Sequence, residues 1–188
     1  MHLVNSLPKV IDTPSLRLRG PELSDASSIF LAYAQDPEVC RFMIWVPHTF
    51  ESITCEFIAA CVDAWASGTR LPYILTTRDS DTAIGMLDAR MHGTTVDIGY
   101  VLARSHWGKA LMPEAIQSFT DAALHSGGIY RVQATCDTEN IASQRVLEKA
   151  GFRREGRLDR YTIHPNISPE PRACFMYAKC IETFNGNL

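Results

Sequence analysis

Thr95-Val96-Asp97-Ile98-Gly99-Tyr100-Val101-Leu102 runs into Ala103-Arg104-Ser105-His106-Trp107-Gly108-Lys109-Ala110-Leu111-Met112 and then into Pro113-Glu114, and the period of the chain changes twice on the way. The first segment alternates, which predicts a strand with Ile98 and Tyr100 on one face and Asp97 on the other. Pro113-Glu114 predicts the start of a helix with Ile116, Phe119 and Ala123 on one side, stopped by Gly127-Gly128. Between them, a glycine and a small alanine precede the helix N-terminus. There, free backbone N–H groups can approach a diphosphate, and the helix dipole favours its negative charge. Any strand must somehow turn into its helix, so this loop needs support from the rest of the chain.

Working outward, Ile129 to Cys136 alternates again, with Tyr130, Val132, Ala134 and Cys136 sharing a face. A helix joins this strand to Leu102, which predicts one parallel pair inside an otherwise antiparallel sheet. Upstream, Tyr73–Thr77, Ala83–Leu87 and Thr95–Leu102 read as a three-strand meander. Its turns are Asp79-Ser80-Asp81 and His92-Gly93-Thr94. Leu16–Arg19 is a short strand, broken by Gly20-Pro21 before Ser24-Asp25 opens a helix through Ile29, Phe30 and Tyr33. Asp36-Pro37 restarts the chain, and Thr49 is the expected N-cap of a helix with Ile53, Phe57, Cys61 and Ala64 on one stripe, ended by Ser67-Gly68. A last helix runs from about Asn140 to Ala150, ended by Gly151, and Phe175–Ile181 closes the sheet. The expected order is strand, helix, helix, meander, helix, strand, helix, strand: a mixed α/β fold, mostly antiparallel, flanked by helices. His164 to Pro171 is a Pro-rich surface loop.

With 188 residues and 21.0 kDa, the whole chain, residues 1–188, is expected to form a single domain. Lys and Arg number 18 against 21 Asp and Glu, for a net charge of −3 without blocks of like charge, which argues against a nucleic-acid partner. No apolar run reaches the roughly 18 residues of a membrane span. Met1 to Lys9 lacks a basic region followed by an apolar stretch, so a cytoplasmic, reducing location is expected. The cysteines at 40, 55, 61, 136, 174 and 180 form no C-x-x-C pair and meet no histidine cluster. They read as thiols, with no metal site.

The second decisive motif is Asn140-Ile141-Ala142-Ser143-Gln144-Arg145-Val146-Leu147-Glu148-Lys149-Ala150-Gly151-Phe152. Through Asn140, Ser143, Lys149, Gly151 and Phe152 the chain resembles the GNAT superfamily of acetyl-CoA-dependent N-acyltransferases, in the branch that includes RimJ and RimL. The resemblance continues through Leu16-Arg17-Leu18-Arg19 with Asp25-Ala26, Asp36-Pro37-Glu38-Val39, Ile98-Gly99-Tyr100, Trp107-Gly108-Lys109 with Glu114-Ala115, and Glu155-Gly156. It implies the GNAT fold and acetyl transfer to a primary amine, on a peptide N-terminus or a small molecule. Two departures stand out. Ser105, with Arg104 beside it, occupies the position where the family's pyrophosphate loop usually has Gln or Arg, and Pro113 removes one N–H donor. They leave open a rival reading, a non-catalytic acyl-CoA-binding sensor.

The resemblance also implies roles. Acetyl-CoA is expected on the N–H groups of Gly108, Lys109, Ala110 and Met112, beside Trp107, with strand contacts from Tyr100, Val101 and Leu102. Asn140 is expected to touch the pantetheine arm, and Ser143 to give a proton to the departing thiolate. An amine is cationic near neutrality and must lose a proton before it attacks, and Asp97, on the strand three residues before Tyr100, is the candidate base, acting through water. Each has a structural alternative: a solvated strand Asp, or helix caps for Asn140 and Ser143. Tyr161 is a second candidate acid, and His48, His106 and His164 are further candidate bases. Acceptor selectivity is expected in the loops Arg41–His48 and His164–Pro171, with Trp45 as an apolar wall and Glu51 or Glu170 holding a cationic group. An exposed strand edge after Leu102 or Phe175 would let two copies pair as a homodimer, although the sequence leaves the oligomeric state open.

Overall fold

The computed structural model describes residues 7–181. At the centre lies the predicted meander, β3 (Arg70–Thr77), β4 (Ser80–His92) and β5 (Thr95–Leu102), each pairing antiparallel with the next. Gly93 turns β4 into β5 with φ +60, a left-handed backbone that costs glycine no Cβ clash. On one side stand β2 (Leu16–Arg19) and β1 (Val10–Asp12). On the other stand β6 (Arg131–Asp137), β8 (Arg172–Cys180) and the outermost strand β7 (Arg153–Thr162). The eight-stranded sheet has the order β1-β2-β3-β4-β5-β6-β8-β7, and β5–β6 is its one parallel pair among the described residues.

Alternation along these strands supplies an apolar surface on each face, and helices cover both. On one face lie α1 (Asp25–Ile29), continued by a π-type turn over Phe30–Ala34, then α2 (Pro37–Cys40) and α3 (Glu51–Ser67). Their Ile29, Tyr33, Ile58 and Cys61 pack against Ile74 and Met86. On the opposite face, α4 (Leu111–His125) and α5 (Ile141–Lys149) set Ile116, Phe119 and Leu147 against Tyr73, Leu87, Ile98 and Val132. Each large side chain buried in this way contributes about 1.5–3 kcal/mol.

Several local expectations need correction. β1, α2 and β7 are additional elements. β4 runs much further than Ala83–Leu87 because it pairs along its length with β3 and then with β5. Phe50, with an extended backbone, occupies the N-cap of α3 in place of Thr49 and makes no side-chain capping bond. The buried stripe of α3 is Thr54, Ile58 and Cys61, while Ile53 and Phe57 are exposed. α4 starts at Leu111, two residues before Pro113, because proline is tolerated in a first turn where N–H groups have no intrahelical acceptor. Tyr130 precedes its strand and is exposed. Phe175 lies on β8, an interior strand between β6 and β7, so it offers no free edge.

One irregularity positions the site. β5 and β6 pair only at Thr95↔Arg131, Val96↔Val132 and Asp97↔Gln133, and then part. β5 stays paired with β4 as far as Leu102, and β6 with β8 as far as Asp137, so a wedge opens between them. The Ala103 N–H donates to the Ile84 carbonyl at 2.8 Å. By alternation, the backbone groups of Tyr100 and Leu102 face the wedge.

Candidate active site

At the open end of the wedge the chain enters α4 through Gly108 at φ +75 and Ala110 at φ +57. Alternating handedness of this kind makes backbone concavities that bind anions. Ala110 is the unusual member, since a left-handed alanine costs about 1–2 kcal/mol that glycine would not. Among the described residues, the N–H groups of Gly108, Lys109, Ala110, Leu111 and Met112 have no hydrogen-bond acceptor, and the first bond of the turn is Glu114 N–H to the Ala110 carbonyl at 3.2 Å. The predicted donor set is therefore free, and Leu111, which the sequence reading passed over, extends it. A Cβ at Gly108 would meet nothing within 4 Å, so space is open beside the cradle. Trp107 donates its indole Nε1–H to the Leu102 carbonyl at 2.8 Å, tying the loop to the end of β5. Glu114 accepts from Thr13 Oγ1 at 2.5 Å and Ser15 N–H at 2.8 Å, which ties the first turn of α4 to the β1–β2 turn. Burial would raise the Glu114 pKa, but these bonds win and hold it below the ordinary value.

Across the wedge, Asn140 caps α5, its Oδ1 accepting the Ser143 N–H at 3.1 Å. Ser143 Oγ lies 2.7 Å from the Tyr100 hydroxyl, so β5 and α5 are bridged over the gap between β5 and β6. Burial raises the Tyr100 pKa well above the ordinary phenol value, which keeps this hydroxyl a proton carrier at neutral pH. Cys136, on β6 beside Ser143, is pushed up to about 12 by burial and is a thiol, not a nucleophile.

Asp97 faces the other side of the sheet, as the alternation predicts. Its Oδ1 accepts from Arg90 Nη2 at 2.8 Å and its Oδ2 from Gln133 Nε2 at 3.5 Å. Neighbouring Asp88 is raised from its ordinary value by burial, against the pull of Arg70 and Arg90. Asp97, Tyr100, Val101, Asn140 and Ser143 line one cleft of about 520 Å³ that continues beneath α3 to Trp45 and Phe57. Apolar side chains such as Ile29, Phe42, Met43, Trp45, Phe57 and Met86 form part of its wall, beside convergent polar groups such as Asp97, Tyr100, Asn140 and Ser143, a combination usual for small-molecule sites.

Of the acceptor residues, Trp45 lines this cleft. Glu51 is exposed at the first turn of α3, and Glu170 is exposed beside Arg160 at 3.6 Å; neither lines it. Tyr161 is half-exposed on the cleft rim. His48 reaches the cleft with its Nδ1 2.7 Å from Thr54 Oγ1, and burial lowers its pKa. His164 is buried there, 3.7 Å from Asp137, while His106 stays outside, beside Ser105. The two loops expected to select the acceptor are pinned together by Asn166, whose Nδ2 donates to the carbonyls of Cys40 at 2.6 Å and Trp45 at 2.8 Å. No local pattern marks Asn166, because its partners lie more than a hundred residues away. Arg90 was readable in principle, since a hairpin turning at Gly93 sets it opposite Asp97.

Residues 15–153 match the acetyltransferase (GNAT) domain family. The uncharacterised N-acetyltransferase p20 of Bacillus licheniformis is 32% identical over 152 residues, covering 79% of this chain and 85% of that protein. Among solved structures, the microcin self-immunity acetyltransferase MccE in complex with acetyl-CoA and AMP superposes with a TM-score of 0.81 at 22% identity, covering 89% of this chain and 93% of that one. RimL, a ribosomal-protein alpha-N-acetyltransferase in complex with coenzyme A, has a TM-score of 0.81 at 20% identity, with coverages of 92% and 98%.

Proposed function

Because this chain belongs to the GNAT family of acetyltransferases, we propose that it transfers an acetyl group from acetyl-CoA to a primary amine, carried by a peptide N-terminus or a small molecule. The observation that carries this reading is the run of free N–H groups from Gly108 to Met112 at the mouth of the β5–β6 wedge, whose walls also supply Tyr100 and Ser143 to a cleft that holds the Asp97 carboxylate. The N–H groups, with the α4 dipole, hold the diphosphate. Backbone groups of Tyr100 and Leu102, with the Asn140 side chain, hold the pantetheine arm, and Val101 and Trp107 flank it. Acetyl-CoA supplies an activated thioester.

Asp97 takes the proton of the ammonium through a water molecule, freeing the nitrogen lone pair. As nitrogen bonds to the acetyl carbon and the carbon–sulfur bond breaks, Ser143 Oγ gives a proton to the departing sulfur and regains one from the Tyr100 hydroxyl 2.7 Å away, while the second proton shed by the nitrogen passes through water to Tyr100, so both hydroxyls end the cycle reprotonated. We place the activity in the cytoplasm, where buried thiols such as Cys40, Cys61, Cys136 and Cys174 stay reduced.

Amine-dependent release of free thiol from acetyl-CoA tests the reaction. Cofactor binding without thiol release for any amine would favour the sensor reading. Asp97→Asn is expected to leave acetyl-CoA affinity near the parent's while lowering turnover most below the pKa of the amine, where a base is needed. An unchanged pH–rate profile removes Asp97 from the mechanism.

A further inference from the structure

On the face of the sheet under α3, one polar row crosses four strands: Arg70 pairs with Arg90, Arg90 with Asp97, and Asp97 with Gln133 as direct Cα partners. Two arginines directly opposite each other repel, so this row needs compensation. Asp97 and Asp88 provide it. Arg90 Nη2 lies 2.8 Å from Asp97 Oδ1, Arg70 Nε 3.2 Å from Asp88 Oδ1, and Arg90 Nε 4.0 Å from Asp88 Oδ2. The third carboxylate of the cleft, Asp137, is held by Arg172 at 2.6 Å. Among the described residues, every carboxylate lining the cleft therefore already faces an arginine. The walls beyond them are apolar, built by Phe42, Met43, Trp45, Phe57 and Met86.

A polycation entering such a cleft must shed water from several charges, and each needs a carboxylate not already neutralised. None is spare here. A singly charged amine loses its one charge with the proton it gives up before attack, and lays the rest of its body against the apolar wall. We propose that the acceptor is an amine with a single positive charge on an apolar or aromatic body, and that Arg70 and Arg90 determine this specificity by neutralising Asp88 and Asp97 and so turning polycations away. This rests on the acetyl-transfer reading above.

The test compares kcat/KM for thiol release with 2-phenylethylamine and with spermidine. The parent is expected to favour 2-phenylethylamine by about tenfold or more, and Arg90→Gln, which uncovers the carboxylates, to shrink that ratio by roughly tenfold. Arg90→Lys keeps the charge and is expected to keep the preference. A parent that uses spermidine as well as 2-phenylethylamine overturns the proposal without any variant. So does an unmoved ratio in Arg90→Gln, or in Arg70→Gln if Arg90→Gln fails to fold. Thermal melts of the parent with coenzyme A and either amine read the same preference without turnover: 2-phenylethylamine raises Tm and spermidine does not. Absence of thiol release with every amine, alongside that selective Tm rise, would count against acetyl transfer and leave the specificity standing; equal Tm rises would overturn the specificity.

Discussion

Gly108 concentrates two constraints in one residue. Its backbone is left-handed at φ +75, and the space its missing Cβ leaves open is the space the proposed diphosphate site needs. Gly108→Val is therefore expected to weaken acetyl-CoA binding by at least about tenfold in calorimetry, equivalent to about 1.4 kcal/mol. Parent-like affinity would move the cofactor away from this loop. Ser143 and Tyr100 act as a pair if the 2.7 Å contact is the proton route. Ser143→Ala and Tyr100→Phe should each lower kcat, and the double variant should fall little below the worse single. Fully multiplicative losses would show that the two hydroxyls act separately. At this scale the sequence offered Asp97, Asn140, Ser143 and the loop donors as candidates, because period and motif mark them. It did not show that the Tyr100 hydroxyl meets Ser143, since 43 residues separate the two and only the opening of β5 from β6 brings them together.

Elements that sequence patterns reveal well are those with one wet and one dry face. α4 has such faces, and β5, covered on both sides, still alternates fully and partly buried residues over Thr95–Ile98, so its expected boundaries match the observed ones. β7 escaped because nearly every residue in it is exposed and six of its ten are charged, the composition by which an edge strand discourages pairing with other chains. The loops that close the cleft are equally silent in sequence, yet Asn166 joins them through two hydrogen bonds. Asn166→Ala is expected to raise KM for the amine several-fold, as the loss of two partly buried bonds implies, while KM for acetyl-CoA stays near the parent's. Trp45→Ala should move the same constant. A shift in the cofactor constant instead would assign these loops to the wrong side of the cleft.

For the molecule as a whole, ion pairs set the response to acid. Hydrogen bonds from Arg17 and Arg78 lower Asp12 to about 2. Arg131 lowers Glu155, and for Asp137 burial opposes but Arg172 prevails. A carboxylate whose folded pKa lies below its unfolded value, near 4, adds its full stability above that value and loses it as pH falls through the folded pKa. Asp88, raised by burial, works in the opposite sense and offsets part of the loss. Thermal melts should show Tm nearly level down to about pH 5 and falling between about pH 4 and 2, by about 2–4 °C for each kcal/mol lost. A Tm that holds to pH 2 would mean that these pairs are not stabilising.

By itself the sequence determined the α/β class, the parallel strand pair, the helix N-terminus with free donors and the side of the sheet on which Asp97 lies. These follow from local period, from short connections and from the handed crossover between β5 and β6, all written in neighbouring residues. Only the tertiary structure decided where β5 and β6 part, which loops Asn166 ties together and how Arg70, Arg90, Asp88 and Asp97 cancel across the cleft floor. Those features depend on register between strands and on contacts far apart in the chain, and such contacts leave no period for a local reading to detect.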